Sequence, residues 1–299
     1  MKNIVVIGSS NTDLVIKSDR IPEPGETVMG GDFMMAAGGK GANQAVAAAR
    51  LGGDVVFVAS VGDDMFGRNS LEAYRKDGIG TDYIAVDKNA PSGVALITVD
   101  RKAENCIVVA SGANGLLSIE TIDRAADKIA AADFLLMQLE IPMNIIEYVA
   151  GKATAYGTKI ILNPAPAAAL SSELLSKLFL ITPNRTECQL LTGVEISSVE
   201  DAAKAADVLL DKGVQNVVIT LGTKGSLVKN RNICVHIPAL EVKAVDTTAA
   251  GDVFNGALAV ALSEGKDLVE AARFATRCSA VSVTRMGAQP SIPTRKEIE

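Results

Sequence analysis

Asp246-Thr247-Thr248-Ala249-Ala250-Gly251-Asp252 stands immediately before an Ala-rich apolar stretch at 253–262. The small residues Ala249, Ala250 and Gly251 leave the backbone N–H groups at the start of a predicted helix unobstructed. Such donors lack intrahelical partners and sit at the positive end of the helix dipole, so they seat a phosphate or a developing anion. Asp252 beside that hole is placed to act as a general base, taking a proton from an attacking hydroxyl. The same carboxylate would also serve as an ordinary helix-terminal charge worth about 0.3–1 kcal/mol. The segment alone does not choose between the two.

Five further clusters carry polar or glycine-rich chemistry. Gly38-Gly39-Lys40-Gly41-Ala42-Asn43 opens another Ala-rich stretch, and its glycines let the backbone approach a ligand closely, although a plain loop-to-helix connection uses the same residues. Asn11 and Asp13 follow the first apolar run two residues apart. In an extended chain they share a face, where a carboxylate flanked by an amide grips vicinal hydroxyls; a turn with a cap is the alternative. Glu140 ends the apolar run 134–139, at a strand terminus that faces a crevice. Asn184 and Glu187, in Pro183-Asn184-Arg185-Thr186-Glu187, lie three apart as on one helical turn, which is also the spacing of a capping box. Thr220-Leu221-Gly222-Thr223-Lys224-Gly225 leaves a strand and is again glycine-rich. Each cluster has an ordinary structural explanation, but all of them fall at predicted strand ends or helix starts, which points to one ligand-binding crevice.

Familiar signatures are missing. There is no Gly-x-x-x-x-Gly-Lys-Ser/Thr phosphate loop and no Gly-x-Ser-x-Gly elbow, and Ile7-Gly8-Ser9-Ser10-Asn11 does not fit a dinucleotide fingerprint. His236 is the only histidine, and Cys106, Cys188, Cys234 and Cys278 form no Cys-x-x-Cys pair. A zinc site and a histidine-based nucleophile dyad are both disfavoured. The dispersed cysteines are expected to be reduced core residues of an intracellular protein. Lys and Arg number 29 against 35 Asp and Glu, a net charge of −6, which weighs against nucleic acid or an acidic membrane surface as partner. The first residues run directly into a strand pattern and no long apolar run follows. Neither a leader nor a membrane span is expected, and the cytoplasm is the expected location.

Positioning these clusters requires a scaffold. In 299 residues, 48% apolar and 21% charged, short β-rich runs at 4–7, 55–58, 134–137, 160–162, 178–182 and 217–221 alternate with helical stretches. The helical stretches cover 42–51, 66–76, 119–131, 145–156, 199–211, 253–262 and 268–283. That rhythm predicts an α/β fold, a mainly parallel central sheet with helices on both faces. A chain of ~300 residues buries roughly 75% of its unfolded surface, enough to fold without disulfide or metal. Two segments, about 12–35 and 92–110, break the rhythm with polar alternation and Gly/Pro turns at Pro22, Pro24, Gly25, Gly30 and Gly31. They predict a small antiparallel β lid emerging from strand ends; an edge hairpin extending the main sheet is the alternative. With no internal repeat or linker, 1–299 reads as one domain carrying this lid. Met34 and Met35 beside Phe33 are expected in the core by their spacing, an apolar lid face being the other reading.

Together, Asn-x-Asp after the first strand, Gly-Gly-Lys-Gly-Ala-Asn, Asn-x-x-Glu and Asp-Thr-x-x-Ala-Gly-Asp resemble the ribokinase (phosphofructokinase-B-like) family of sugar kinases, in order and over residues 2–293. Met137-Gln138-Leu139-Glu140, Asn163-Pro164-Ala165-Pro166-Ala167 and 284–293 are similar to the ribose-phosphorylating members. The resemblance implies that Asn11, Asp13, the turn Gly39, Lys40, Gly41 and Asn43, and Glu140 hold a sugar, with Asp13 on its 2- and 3-hydroxyls. It implies that Asn184, Thr220, Gly222, Gly225, Gly251 and Thr276 contact ATP, and that Asn184 with Glu187 handles magnesium and phosphate. Asp252 is implied as the catalytic base, with the amides of Ala249, Ala250 and Gly251 as anion hole. Asp246, Thr248, Ser282, Arg285, Gly287 and Ser291 match positions around a monovalent cation, usually potassium. Two departures stand out: many members have Gly where this chain has Ala249, and Thr276 is shorter than the Asn or His often found there.

The implied activity is transfer of the γ-phosphoryl group of Mg-ATP to the 5-hydroxyl of D-ribose, giving D-ribose 5-phosphate, with K⁺ as activator and a homodimer formed through the lid. Alternatives within the family act on 2-deoxyribose, a nucleoside or a ketohexose. Four tyrosines, seven phenylalanines and no tryptophan offer few platforms for a nucleobase acceptor. A non-catalytic sugar-binding relative would be expected to lack the carboxylate at 252, which is present.

Overall fold

Alternation of apolar side chains decides the architecture. In a computed structural model that describes residues 3–102 and 104–299, the first strand, β1 (Asn3–Ile7), buries Ile4 and Val6 on one face and Val5 and Ile7 on the other. A strand buried on both sides must be covered on both sides, and helices do so here. Met1 and Lys2, at the start of the span resembling sugar kinases, and Ala103, inside the second lid segment, lie outside the described residues.

The chain continues through β2 (Asn11–Lys17), β3 (Phe33–Gly38), α1 (Lys40–Arg50), β4 (Asp54–Gly62), α2 (Met65–Lys76), β5 (Ile84–Asp87), β6 (Gly93–Val99) and β7 (Asn105–Ala110). Then come α3 (Ile119–Arg124), α4 (Ala126–Ala131), β8 (Phe134–Met137), α5 (Met143–Tyr156), β9 (Lys159–Leu162), α6 (Ser172–Ser176), β10 (Leu180–Ile181), α7 (Arg185–Thr192) and α8 (Val199–Asp211). The last part holds β11 (Asn216–Thr220), β12 (Ser226–Asn230), β13 (Cys234–Ile237), α9 (Ala250–Ser263) and α10 (Leu268–Ser282). A nine-stranded sheet runs in the order β13-β12-β11-β10-β9-β8-β1-β4-β5, parallel except where β12 and β13 turn back as an antiparallel edge. Helices α1, α2, α9 and α10 pack on one face and α3 to α8 on the other, each layer closed by its own apolar cluster. The expected fold class is the observed one.

The two segments expected to form a lid build a separate four-stranded sheet, β3-β2-β6-β7. Its outer pairs are antiparallel, whereas the central pair β2–β6 is parallel, because the two lid segments leave the body side by side in the same direction. Phe33 (60% exposed), Met34 and Met35 (55%) lie on its surface, so they are not core residues. The alternation places them on a thin sheet with no helix layer behind it. Two further expectations are corrected. The helix foreseen over 119–131 is broken at buried Ala125, a bend that brings Ile122 and Ile129 into the same apolar layer. Of the four free cysteines only Cys188 and Cys278 are buried; Cys106 and Cys234 are exposed on β7 and the edge strand β13.

Helices α1 and α9 cross without intervening bulk. A Cβ placed on Gly256 would stand 2.7 Å from Ala47 Cβ and 2.8 Å from the Gln44 carbonyl oxygen. Gly256→Ala is therefore expected to cost about 1–3 kcal/mol through overpacking, despite a helix-propensity gain of about 1 kcal/mol. Urea unfolding measures it, and a variant as stable as the parent would show the crossing to be looser than this geometry.

Candidate active site

The carboxyl ends of β1, β8, β9, β10 and β11 open on one side of the sheet, where α1 and α9 begin. Both helices present N-terminal turns to the crevice, so their unpaired amides and dipoles favour anions there. Gly39, the residue before α1, adopts φ 87°, and a Cβ on it would lie 2.7 Å from the Asn11 amide nitrogen. Only glycine fits this close turn. Ala249, before α9, is the sole non-glycine residue with positive φ among the described residues (59°), a conformation that costs an L-residue roughly 1–2 kcal/mol. In this conformation the 249–251 backbone lines a polar cavity in the crevice. Ala250 N–H makes a long bond to the Thr247 oxygen (3.2 Å), leaving the Ala249 and Gly251 amides as the open donors.

Asp252 lies in the first turn of α9 and is almost wholly buried. Two α1 amides hold its carboxyl: Asn43 Nδ2 donates to Oδ2 at 2.9 Å and Gln44 Nε2 to Oδ1 at 2.9 Å. Burial pushes the Asp252 carboxyl above the usual carboxylate range, against the pull of nearby Lys40 and of those two amides. Lys40 in turn faces Asp252, Glu140, Glu187 and Asp13, whose combined charge outweighs its own desolvation and raises its pKa. Glu140 accepts from Ser9 Oγ at 2.5 Å and from the Lys40 amide at 3.0 Å, fixing the end of β8 to the start of α1. Asn11 shares the β2 face with Asp13, and its Oδ1 accepts from Asn114 Nδ2 at 2.8 Å. Burial, with Glu140 adding to it, pushes Asp13 up to about 6.

Asn184 and Glu187 form a complete capping box at the start of α7. Glu187 N–H donates to Asn184 Oδ1 (2.9 Å) and Asn184 N–H to Glu187 Oε2 (2.8 Å). Both residues also border a polar cavity of about 200 Å³ with Lys40, Gly251 and Asp252. The capping role is thus observed, and the pair also faces a space that a ligand could enter. Burial raises Glu187 above the ordinary carboxylate range. Ala250, Gly251 and Thr220 connect the polar cavity to a larger apolar one of about 550 Å³, which Gly222, Gly225, Leu240, Val242, Phe254 and Thr276 also line. A Cβ on Gly251 would meet nothing within 4 Å, so this close backbone faces open space. A third cavity of about 360 Å³ runs beneath the lid between Asn11, Val109, Asn114 and Glu140.

Asp246 sits apart from these cavities. Its Oδ1 accepts from the amide and hydroxyl of Thr248, and its Oδ2 from the Gly287 amide at 2.8 Å. Burial works against it, but these hydrogen bonds prevail and hold Asp246 below the usual range. The side chains of the other residues matched to a cation are turned elsewhere. Arg285 pairs with Glu297 at 2.6 Å, and the Ser282 and Ser291 hydroxyls donate to neighbouring backbone oxygens. Among the described residues no group of three His, Cys, Asp or Glu side chains is gathered to hold a metal ion. A divalent ion here would be held largely by a ligand's phosphates and water, as Mg²⁺ commonly is.

Several polar residues around the site escaped the sequence reading: Ser9, Gln44, Asn114, Thr182 and Asn255. Gln44 was the most visible, a second amide beside Asn43 on an otherwise Ala- and Val-lined buried face.

Burying Asp13, with Glu140 beside it, has a measurable cost. Folded Asp13 keeps its proton to about pH 6, whereas its ordinary value is 3.8. The native state therefore binds more protons in that window, and stability falls as pH rises through it. Asp13→Asn, uncharged at every pH, is expected to stabilise the ligand-free protein near neutral pH by about 1–3 kcal/mol. Urea unfolding at a series of pH values checks this, and equal stability of the two proteins near neutrality would contradict it.

A family model described as pfkB family carbohydrate kinase matches residues 1–295. The chain is 48% identical to a ribokinase of Haemophilus influenzae over 99% of its own length and 97% of that protein's. It is 39% identical to a deoxyribokinase of Salmonella typhi, covering 98% and 96% of the two chains. The solved structure of Arabidopsis thaliana ribokinase complexed with ribose and ATP superposes with a TM-score of 0.92 at 33% identity, over 99% of this chain and 97% of that one. With the crevice, the paired helix starts and the lid in one arrangement, this chain belongs to the pfkB family of carbohydrate kinases.

Proposed function

We propose that the protein is an ATP-dependent ribokinase, transferring the γ-phosphoryl group of ATP to the 5-hydroxyl of D-ribose. The observation that carries this reading is the continuous path from apolar cavity to polar cavity to Asp252, with open amides at the junction. Full-length similarity to ribokinases supports the acceptor. The adenine lies in the apolar cavity against Val242, Phe254 and Thr276, and the phosphates run past Thr220, Gly222 and Gly225 toward Asn184 and Gly251. The sugar lies under the lid, its 2- and 3-hydroxyls on Asp13, with Asn11, Gly39, Gly41, Asn43 and Glu140 around it.

Phosphoryl transfer passes through a loose transition state, so positioning and charge neutralisation dominate. Asp252 accepts the proton of the 5-hydroxyl as that oxygen attacks. Lys40 and the amides of Ala249 and Gly251 face the charge of the moving group. The lid, built from about 12–35 and 92–110 on a single unit 1–299, closes over the sugar and excludes water that would otherwise accept the phosphoryl group. Mg²⁺ bound to ATP would offset phosphate charge, and Glu187, held by Asn184, would stand among the residues beside it. A monovalent cation such as K⁺ would be held at the Asp246 loop, where Thr248 and Gly287 fix the carboxylate, with main-chain oxygens from 282–291 as its further ligands. The exposed apolar lid face around Phe33, Met35 and Val108 suits a second copy of the chain. No helix among the described residues is long and apolar enough to cross a membrane. A cytoplasmic location belongs to the same reading, since ATP is available there.

The second reading, 2-deoxyribose as acceptor, is favoured by the similarity to a deoxyribokinase. The two separate at Asp13, which loses one of its two hydroxyl partners with a sugar lacking the 2-hydroxyl. Sites built on such pairing discriminate by up to ~10⁴–10⁵; for the half-buried Asp13, a preference for ribose in kcat/KM of about 10²-fold or more is expected. A coupled ATP assay on both sugars decides, and equal turnover would favour the second reading. Asp252→Asn is expected to keep the fold and sugar binding while kcat falls by ~10²–10⁴. Calorimetric titration with ribose beside the same assay tests it, and near-normal turnover would remove Asp252 as base.

A further inference from the structure

Gln44 is fully buried and borders none of the three cavities, yet it touches the carboxyl that the proposed reaction depends on. Its Nε2 donates to Asp252 Oδ1 at 2.9 Å and to Asn163 Oδ1 at 3.0 Å, and its Oε1 accepts from Gln138 Nε2 at 2.6 Å. The direction of this chain is set at its ends. The ionised Asp252 carboxylate, the form a base needs, only accepts, so the Gln44 amide turns its NH₂ there and its oxygen toward Gln138. Asn163 must in turn point its NH₂ at the Thr182 oxygen, at 3.1 Å. From Thr182 the path returns to α9: its hydroxyl donates to Asn255 Oδ1 (2.6 Å), and Asn255 Nδ2 donates to the Gly251 oxygen (2.8 Å). Side chains at the ends of β8, β9 and β10 are thus tied to both the carboxyl and the backbone beside it.

We propose that Gln44 is a positioning residue: it holds one oxygen of Asp252 so that the carboxyl presents its remaining lone pairs to the acceptor hydroxyl, and it locks that orientation to the strand ends. This rests on Asp252 being the base. The charged groups facing the carboxyl are Lys40 at the start of α1, Glu140 after β8, Glu187 on α7 and Asp13 on β2. None of them is removed by changing Gln44.

Gln44→Glu keeps the shape of the side chain and its acceptor for Gln138, and sets a second carboxyl against Asp252. Two carboxyls at that distance do not both ionise. The acid limb of the kcat–pH profile is expected to move up by at least about one unit, with KM for ribose and for ATP unchanged. Gln44→Met removes the donor without adding charge and is expected to lower kcat by ~10²-fold, again with both KM values kept. Its Asp252 carboxyl, followed by ¹³C NMR and assigned through Asp252→Asn, should titrate at higher pH than in the parent.

An unshifted limb and titration in an active enzyme would overturn the inference and leave the kinase reading standing. So would kcat and KM worsening together in step with lost thermal stability, the mark of a purely structural residue. If the parent phosphorylates no sugar but the Gln44→Met titration moves, Gln44 still positions the carboxyl and the proposed function falls instead.

Discussion

Burying a carboxylate without partners costs several kcal/mol, and the fold meets that cost at Asp252. Two side-chain amides from α1 reach across to it, at 2.9 Å each, and Lys40 from the same helix faces it. Those contacts require α1 and α9 to lie closer than ordinary side chains allow, which explains the small residues Ala47 and Gly256 where they cross. The close crossing also brings two helix starts into one crevice, so the base and the amides beside it face the same space. The sheet supplies the rest by ending β8, β9 and β10 in polar side chains that reach the same point.

The site is crowded with charge. Asp13, Glu140, Glu187 and Asp252 surround a single Lys40, and three of these carboxyls are held above their ordinary range, chiefly by burial. On the proposed reading, the hydroxyls of the sugar acceptor would donate to these carboxyls and offset part of that cost. Stability is given up for a site that favours its ligands, as is usual where function and folding compete. The left-handed backbone of Ala249 is a smaller instance of the same exchange.

Much of this was legible in the sequence. Apolar runs marked the parallel strands, because burial on both faces leaves no alternation to confuse, and small residues with carboxylates marked the helix starts. What escaped depended on tertiary contacts. β12 and β13 are short and mixed in polarity at an exposed edge, and 119–131 bends at an alanine that gives no local signal. Met34 and Met35 look like core by type and are exposed because the lid has only one layer. Gln44 and Asn163 lie far apart in sequence, and nothing local shows that each will find the other and Asp252. The capping box at Asn184 and Glu187 was legible as structure, and its place after a strand already put it at the crevice where it borders the polar cavity.

The most direct measurement is a crystal structure of the ternary complex with ribose and a non-hydrolysable ATP analogue. One oxygen of Asp252 should then lie within about 3 Å of the sugar's 5-hydroxyl, with the terminal phosphate seated on the amides that precede α9. A closed complex in which that hydroxyl is more than about 5 Å from the carboxyl, too far for direct proton transfer, would contradict the central claim.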